Sequence, residues 1–347
     1  MWQTAGQERI INFLKESITR KSLAHAYLLV GPAHIGKMTL ATDMARALNC
    51  TTSDPPCNTC RICQRIGENK FPDVVAINRN TGREAKDKRK GTEISIDTVR
   101  DFIQKSCNLP PYEGKYKVYV IENAELMSVE AANCLLKTLE EPPPHVVIIL
   151  LTSEEKALLP TIISRCQKLE LKPLPAEETE KALLEKGVQQ ELARLMSRLA
   201  KGCLGWALTA CQDAGFMKGR SLRLDELSAL ITRNWDERFT YIQQLPSDRA
   251  SAEELLKLWM SYCRDVLLIK YNCDGAVANL DRQNDLKAWA NMLTVHEIKE
   301  FIDSLNEALT YLSYNANLHL IFEMVMLEMP KKEKRGDYMV NSAPSLA

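Results

Sequence analysis

Eight residues, Gly31-Pro-Ala-His-Ile-Gly36-Lys37-Met38, keep the spacing of a phosphate-binding loop up to their last position. In the working pattern, backbone N–H groups cradle phosphate, a lysine reaches the β- and γ-phosphates, and a Ser or Thr hydroxyl binds Mg²⁺. Met38 puts a thioether where that hydroxyl belongs, and a thioether is a poor ligand for a hard, oxygen-seeking cation. Thr39 is no substitute, because one helical step turns a side chain by about 100°. Gly31, Gly36 and Lys37 therefore retain a degenerate cradle, compatible with weak nucleotide binding or with none. Mg²⁺-ATP is not expected as a working cofactor.

A second chemistry sits just downstream in Cys50-x6-Cys57-x2-Cys60-x2-Cys63. Four thiolates suit tetrahedral Zn²⁺, and two-residue spacers let neighbouring sulfurs converge on one ion. A site with four protein ligands is closed, so it is read as structural. The turn residues Asp54-Pro55-Pro56 make it a small excursion of about residues 50–66.

The third candidate is Glu122-Asn123, at the end of the apolar run Lys117 to Ile121. A loop-type ATPase carries Asp-Glu at such a position, one carboxylate for Mg²⁺ and one to polarise the attacking water. Glu122 keeps a carboxylate, whereas Asn123 cannot accept a proton as a general base. Glu125, two residues further on, is read as facing elsewhere.

The elements that must hold these residues alternate between strand and helix. Helices are expected over Gln7–Lys21, Lys37–Asn49, Thr98–Cys107 with Asp97 as N-cap, and from the Ser128 cap to Glu141, where Pro142-Pro143-Pro144 stops it. Four strands are expected at Tyr27–Val30, Val74–Asn78, Lys117–Ile121 and Val146–Leu151. This alternation implies an α/β domain with a parallel, doubly wound sheet over residues 1–171. Ligands in such sheets sit at the carboxyl ends of strands, where Gly31 to Lys37 falls.

Beyond the linker Leu171-Lys-Pro-Leu-Pro175 strand signals stop. Leu255, Trp259, Tyr262, Val266 and Ile269 step at helical spacing, as do Ile298, Phe301, Leu305, Leu309 and Leu312, and both stripes are read as core. The end of the chain, 334–347, is expected to be disordered.

Composition narrows the partners. Among 347 residues, Lys plus Arg and Asp plus Glu number 45 each, so no global field announces a nucleic acid or a membrane. The basic stretch Lys86-Asp-Lys-Arg-Lys90 is read as a solvated loop. The apolar run Val146–Leu151 is too short to span a bilayer. Eleven cysteines, an odd number and mostly scattered, fit a reducing compartment, and Met-Trp-Gln-Thr-Ala-Gly-Gln-Glu lacks the regions of a signal peptide, so a cytoplasmic location is expected.

Taken together, Leu23-Ala-His-Ala-Tyr-Leu-Leu-Val-Gly-Pro, the cysteine module, Leu135-Leu-Lys-Thr-Leu-Glu-Glu-Pro-Pro and Ser164-Arg165-Cys166 resemble the bacterial clamp-loader AAA+ subunits of DNA polymerase III, over essentially the whole chain. The resemblance is to the delta-prime branch. It implies a RecA-like AAA+ domain at 1–171 with the inserted zinc module, a three-helix lid at 172–215, and an all-α collar at 216–333. It also implies gamma/tau and delta subunits as partners, with the sliding clamp and primed DNA met through the assembled complex.

The motor branch of that family keeps the hydroxyl, the Asp-Glu pair and a lid arginine; here stand Met38, Glu122-Asn123 and Gly205. By resemblance, Arg165 is a finger that reaches a neighbour's γ-phosphate in trans, where an always-charged guanidinium stabilises developing phosphoryl charge. The competing reading is a gamma/tau-like motor that hydrolyses ATP with altered Mg²⁺ ligands. His25 is assigned to packing, and His34 simply lies within the loop.

Overall fold

A computed structural model of the protein describes residues 1–81, 93–314 and 316–331. The described residues form two compact units, those within 1–193 together with 200–209 and those within 194–199 together with 210–331.

The first unit is built on a five-stranded parallel sheet: β1 (Ala26–Val30), β2 (Val74–Ile77), β3 (Lys117–Ile121), β4 (Val146–Thr152) and β5 (Gln167–Glu170), in the order β2-β3-β4-β1-β5. Alternation along the strands feeds two apolar layers. Tyr27, Leu29, Val147, Ile149 and Leu151 point to one, with the helix Lys37–Asn49 among its cover. Ala26, Leu28, Val146, Ile148 and Leu150 point to the other, with the helix Val129–Glu140. Strands covered on both faces read as unbroken apolar runs, as Val146 to Leu151 does.

Two expectations need correction. β5 adds a fifth strand at the edge, paired with β1 through Tyr27↔Gln167 to Val30↔Glu170. Of its four residues only Leu169 is buried, so it carries almost no apolar signal. The helical run 96–107 starts from Ser95, not Asp97; the Ser95 hydroxyl accepts from the Thr98 N–H at 3.3 Å. The expected Ser128 cap is present and accepts from the Ala131 N–H.

The second unit is helical, with Phe216–Leu230, Trp235–Ile242, Arg249–Lys270, Gln283–Met292, Val295–Ser313 and Leu318–Glu328 as its main helices. Both predicted stripes enter one core; Trp259, Tyr262, Phe301 and Leu305 are fully enclosed, and Ile269 and Leu309 pack at its border. Tyr262 meets Trp289 edge to face, centroids 5.1 Å apart.

Arg238 is fully buried here without a carboxylate partner among its hydrogen bonds. Its guanidinium donates to the carbonyls of Leu230, Ile231, Met326, Met329 and Pro330 at 2.8–3.4 Å. These oxygens lie at the C-terminal ends of Phe216–Leu230 and Leu318–Glu328, where helices leave carbonyls unpaired and the dipole is negative. Arg238→Met is expected to cost the unit about 2–4 kcal/mol in denaturant unfolding, because it strands buried acceptors. An unchanged midpoint would show that water serves those carbonyls equally well.

Candidate nucleotide site and metal centre

The loop leaves β1, which lies between β4 and the edge strand β5, and the Gly31 N–H donates to the Thr152 carbonyl of β4 at 3.2 Å. Its turn needs left-handed backbone at His34 (φ 60°) and Gly36 (φ 107°), the second a conformation suited to glycine. Lys37 begins the following helix and folds back, its Nζ donating to the carbonyls of Gly31 at 2.5 Å and Pro32 at 2.9 Å. Burial lowers the Lys37 pKa, and the nearby negative charge of Glu125 opposes that shift. Gly31, Gly36 and Lys37 are thus gathered into one turn. Met38 packs against the apolar layer under the sheet, while Thr39 is exposed to solvent.

Two strands from β1, Glu122 follows β3 and is half-buried, and Asn123 is exposed at φ 50°. That left-handed residue redirects the chain into the short turn Ala124–Leu126. Glu125, read as facing elsewhere, is tied to the residue that follows β4. Its Oε1 accepts from the Ser153 N–H at 3.3 Å and from the Ser153 hydroxyl at 2.9 Å, just past the end of β4. Its Oε2 is enclosed without a hydrogen-bond partner.

Gly205 also meets the loop. Its N–H donates to the His34 carbonyl at 3.0 Å, and a Cβ there would lie 2.6 Å from that oxygen. No side chain, and so no arginine, fits at this position without moving the backbone. The glycine was visible in the sequence; its contact was not.

Arg165 follows the short helix Pro160–Ile163. It is partly exposed, donating to Glu140 Oε1 at 2.8 Å and to the Thr161 carbonyl at 3.1 Å. Neighbouring Cys166 faces inward, and burial pushes its thiol up to about 12. His25 is half-buried with its Nε2 enclosed and without a hydrogen-bond partner. The stretch Lys86 to Lys90 and residues 332–347 lie outside the described residues.

The four cysteines do converge. One sulfur from each of Cys50, Cys57, Cys60 and Cys63 lies within 4.8 Å of every other. Zn–S bonds near 2.3 Å in a tetrahedron place sulfurs about 3.8 Å apart. The Cys50–Cys57 and Cys57–Cys63 separations are 3.6 and 3.9 Å, so the donor set fits zinc. The Cys60 N–H, helped by Thr59, holds the Cys57 thiol down to about 5, a thiolate at neutral pH. Burial pushes Cys63 up to about 12, and a bound cation would favour its ionised form. Cys60 also caps the helix Arg61–Gly67, its sulfur accepting from the Cys63 N–H.

No helix among the described residues is long and apolar enough to cross a membrane. A family model described as DNA polymerase III, delta subunit, matches residues 6–175, and its C-terminal counterpart matches 214–331. The chain is similar to DNA polymerase III subunit delta' of Pseudomonas aeruginosa, 32% identical over 76% of this chain and 74% of the relative. It is 28% identical to subunit delta' of Bacillus subtilis, over 92% of this chain and 95% of that one. With B. subtilis subunit tau it shares 26% identity over 93% of its own length, but spans only 60% of tau. A solved gamma-subunit-related protein from Thermotoga maritima has the same fold, with a TM-score of 0.51, 18% identity, and coverage of 92% of this chain and 99% of that one.

Proposed function

We propose, from the premise that this chain belongs to the DNA polymerase III delta and delta-prime family of clamp-loader subunits, that it is a stator that hydrolyses no ATP itself. In this reading it assembles with gamma/tau motor subunits and delta, so that the complex loads the sliding clamp onto primed DNA in the cytoplasm. Residues 1–171 act as the RecA-like AAA+ domain, 172–215 as a lid and 216–333 as a collar. Arg165 supplies the finger in trans, and Cys50, Cys57, Cys60 and Cys63 hold a structural Zn²⁺.

The observation that carries the stator reading is the contact of Gly205 with His34. A lid arginine that senses γ-phosphate has no room there, since even a Cβ would lie 2.6 Å from the His34 oxygen. Met38 and Asn123 remove the Mg²⁺ hydroxyl and the water-polarising carboxylate independently. The motor reading would have to recruit Glu125, whose Oε1 is already tied to Ser153. A carboxylate alone, without metal ligand or sensor, is a weak phosphoryl-transfer site.

The isolated protein is accordingly expected to release phosphate from ATP at the background rate, with or without primed DNA. A turnover near ~1 s⁻¹, of the order of competent phosphoryl-transfer enzymes, would restore the motor reading.

A further inference from the structure

The cysteine module and the phosphate loop are joined by more than the helix between them. Asp43, on the buried side of Lys37–Asn49, is fully enclosed. Its Oδ2 accepts from the Gln3 N–H at 2.7 Å, the Thr4 N–H at 2.9 Å and the Thr4 hydroxyl at 2.8 Å. One turn later, Arg46 spans three partners, one of them Asn58 of the module, whose Oδ1 accepts from Nη1 at 3.3 Å. Its Nε donates to the Cys63 carbonyl at 3.1 Å inside the module, and its Nη1 donates to Gln3 Oε1 at 2.8 Å. Gly67 leaves space for this guanidinium, since a Cβ there would fall 2.0 Å from Nη2. Residues 3–4 are therefore fastened to the loop helix and, through Arg46, to the cysteine module.

The same segment is fastened again at its other end. Gln7 is buried; its Nε2 donates to the Lys172 carbonyl at 2.7 Å, and its Oε1 accepts from the Lys172 N–H at 3.3 Å. Gly6 sits at φ 65° against Leu174, in a space no Cβ could share. The Leu174 N–H in turn donates to the Gly202 carbonyl at 3.1 Å, and three residues on, the Gly205 N–H donates to His34 in the phosphate loop. The chain of contacts closes on itself: loop helix, strap 3–7, linker 172–174, turn 202–205, loop.

We propose that the metal centre works as a remote lock on the phosphate loop, acting through Arg46 and the strap 3–7 to hold the turn 202–205 against His34. Nothing in this depends on whether ATP is hydrolysed, so it stands apart from the stator reading. A metal held by the four cysteines would steady the Cys63 backbone; the Cys63 carbonyl holds Arg46, and Arg46 holds Gln3. Strap and linker then form one piece, because Gln7 pairs with both backbone groups of Lys172. The turn stays down over the loop while that piece is held. Release of the metal or of Arg46 loosens the strap, which then keeps the Asp43 hydrogen bonds and the contacts of Met1 with Pro56 and Asn58. The Gly205 amide, a first-turn donor of the helix Leu204–Gln212, is held less firmly against the His34 carbonyl.

The test is amide hydrogen exchange on the full-length, zinc-loaded chain, read at Gln3, Thr4, Leu174 and Gly205, with metal content measured on the same samples. Arg46→Gln should leave zinc bound yet raise exchange at Gln3 and Thr4, and at Gly205 by about tenfold, the value of one lost hydrogen bond. Gln7→Ala, a milder change, should leave the Asp43 contacts protected and raise exchange at Leu174 and Gly205 only. Removing zinc with a chelator should reproduce the Arg46→Gln pattern. Freed Gln3 and Thr4 amides with an unchanged Gly205 amide would overturn the lock, as would Gln3 and Thr4 amides that stay protected in Arg46→Gln.

Discussion

Replacing Arg165 by Ala is expected to leave this chain folded and the clamp-loader ring assembled, while the neighbouring motor subunit loses much of its ATPase. The side chain is partly exposed, and its bonds are one ion pair to Glu140 and one to the Thr161 carbonyl. Exposed pairs of this kind contribute about 0–1 kcal/mol, too little to disturb the fold. Trans fingers are worth roughly 10³–10⁵ in rate where one site is isolated, so the affected site should be nearly silenced. Total turnover falls only in part, because other ATP sites lack this arginine; clamp loading suffers more if the sites fire in concert. Reconstituted rings carrying Arg165→Ala, timed for ATP hydrolysis and for clamp loading on primed DNA, give the result. Wild-type values for both, with assembly verified, would leave Arg165 as surface charge paired with Glu140.

The second large effect belongs to the metal centre. Purified under reducing conditions, the protein should carry one zinc per chain, and Cys60→Ser should lose most of it. Serine is a discriminating substitute, because a hydroxyl preserves the N-cap that Cys60 gives the helix Arg61–Gly67. Only the fourth thiolate goes. Apparent binding energies at four-ligand zinc sites reach about 10–16 kcal/mol in small zinc-binding peptides, and binding there is folding. The segment 50–67 should therefore open to limited proteolysis while the sheet, with its own two apolar layers, stays intact. Chelation of the wild-type protein should give the same cleavage pattern. Freshly prepared, reduced protein without zinc would remove the metal from the account.

Much of the candidate site was legible because its signals are local. Glycines and a lysine at loop spacing, and four cysteines within fourteen residues, each specify a short piece of backbone that few tertiary contexts can undo. The central strands were legible for the same reason, since a strand covered on both faces must be apolar at every position. β5 was not, because an edge strand with one buried residue reads like a loop. The partner of Glu125 was not legible, because Asn123 at φ 50° turns the chain before it and carries it to Ser153. The Arg238 pin left no trace, since the carbonyls it serves come from segments up to 92 residues away.

By itself, then, the sequence determined the parallel α/β domain, the helical remainder, the cysteine cluster and the missing Mg²⁺ hydroxyl. These follow from residue type and short-range periodicity. Only the tertiary structure decided that Gly205 seats its backbone on His34, that Glu125 turns toward Ser153, and that Arg46 ties the cysteine module to Gln3. Each is a hydrogen bond between residues far apart in the chain, and its existence depends on where the sheet and its crossovers bring their backbones. Residue types permit such bonds at many pairs of positions; packing selects the few that form.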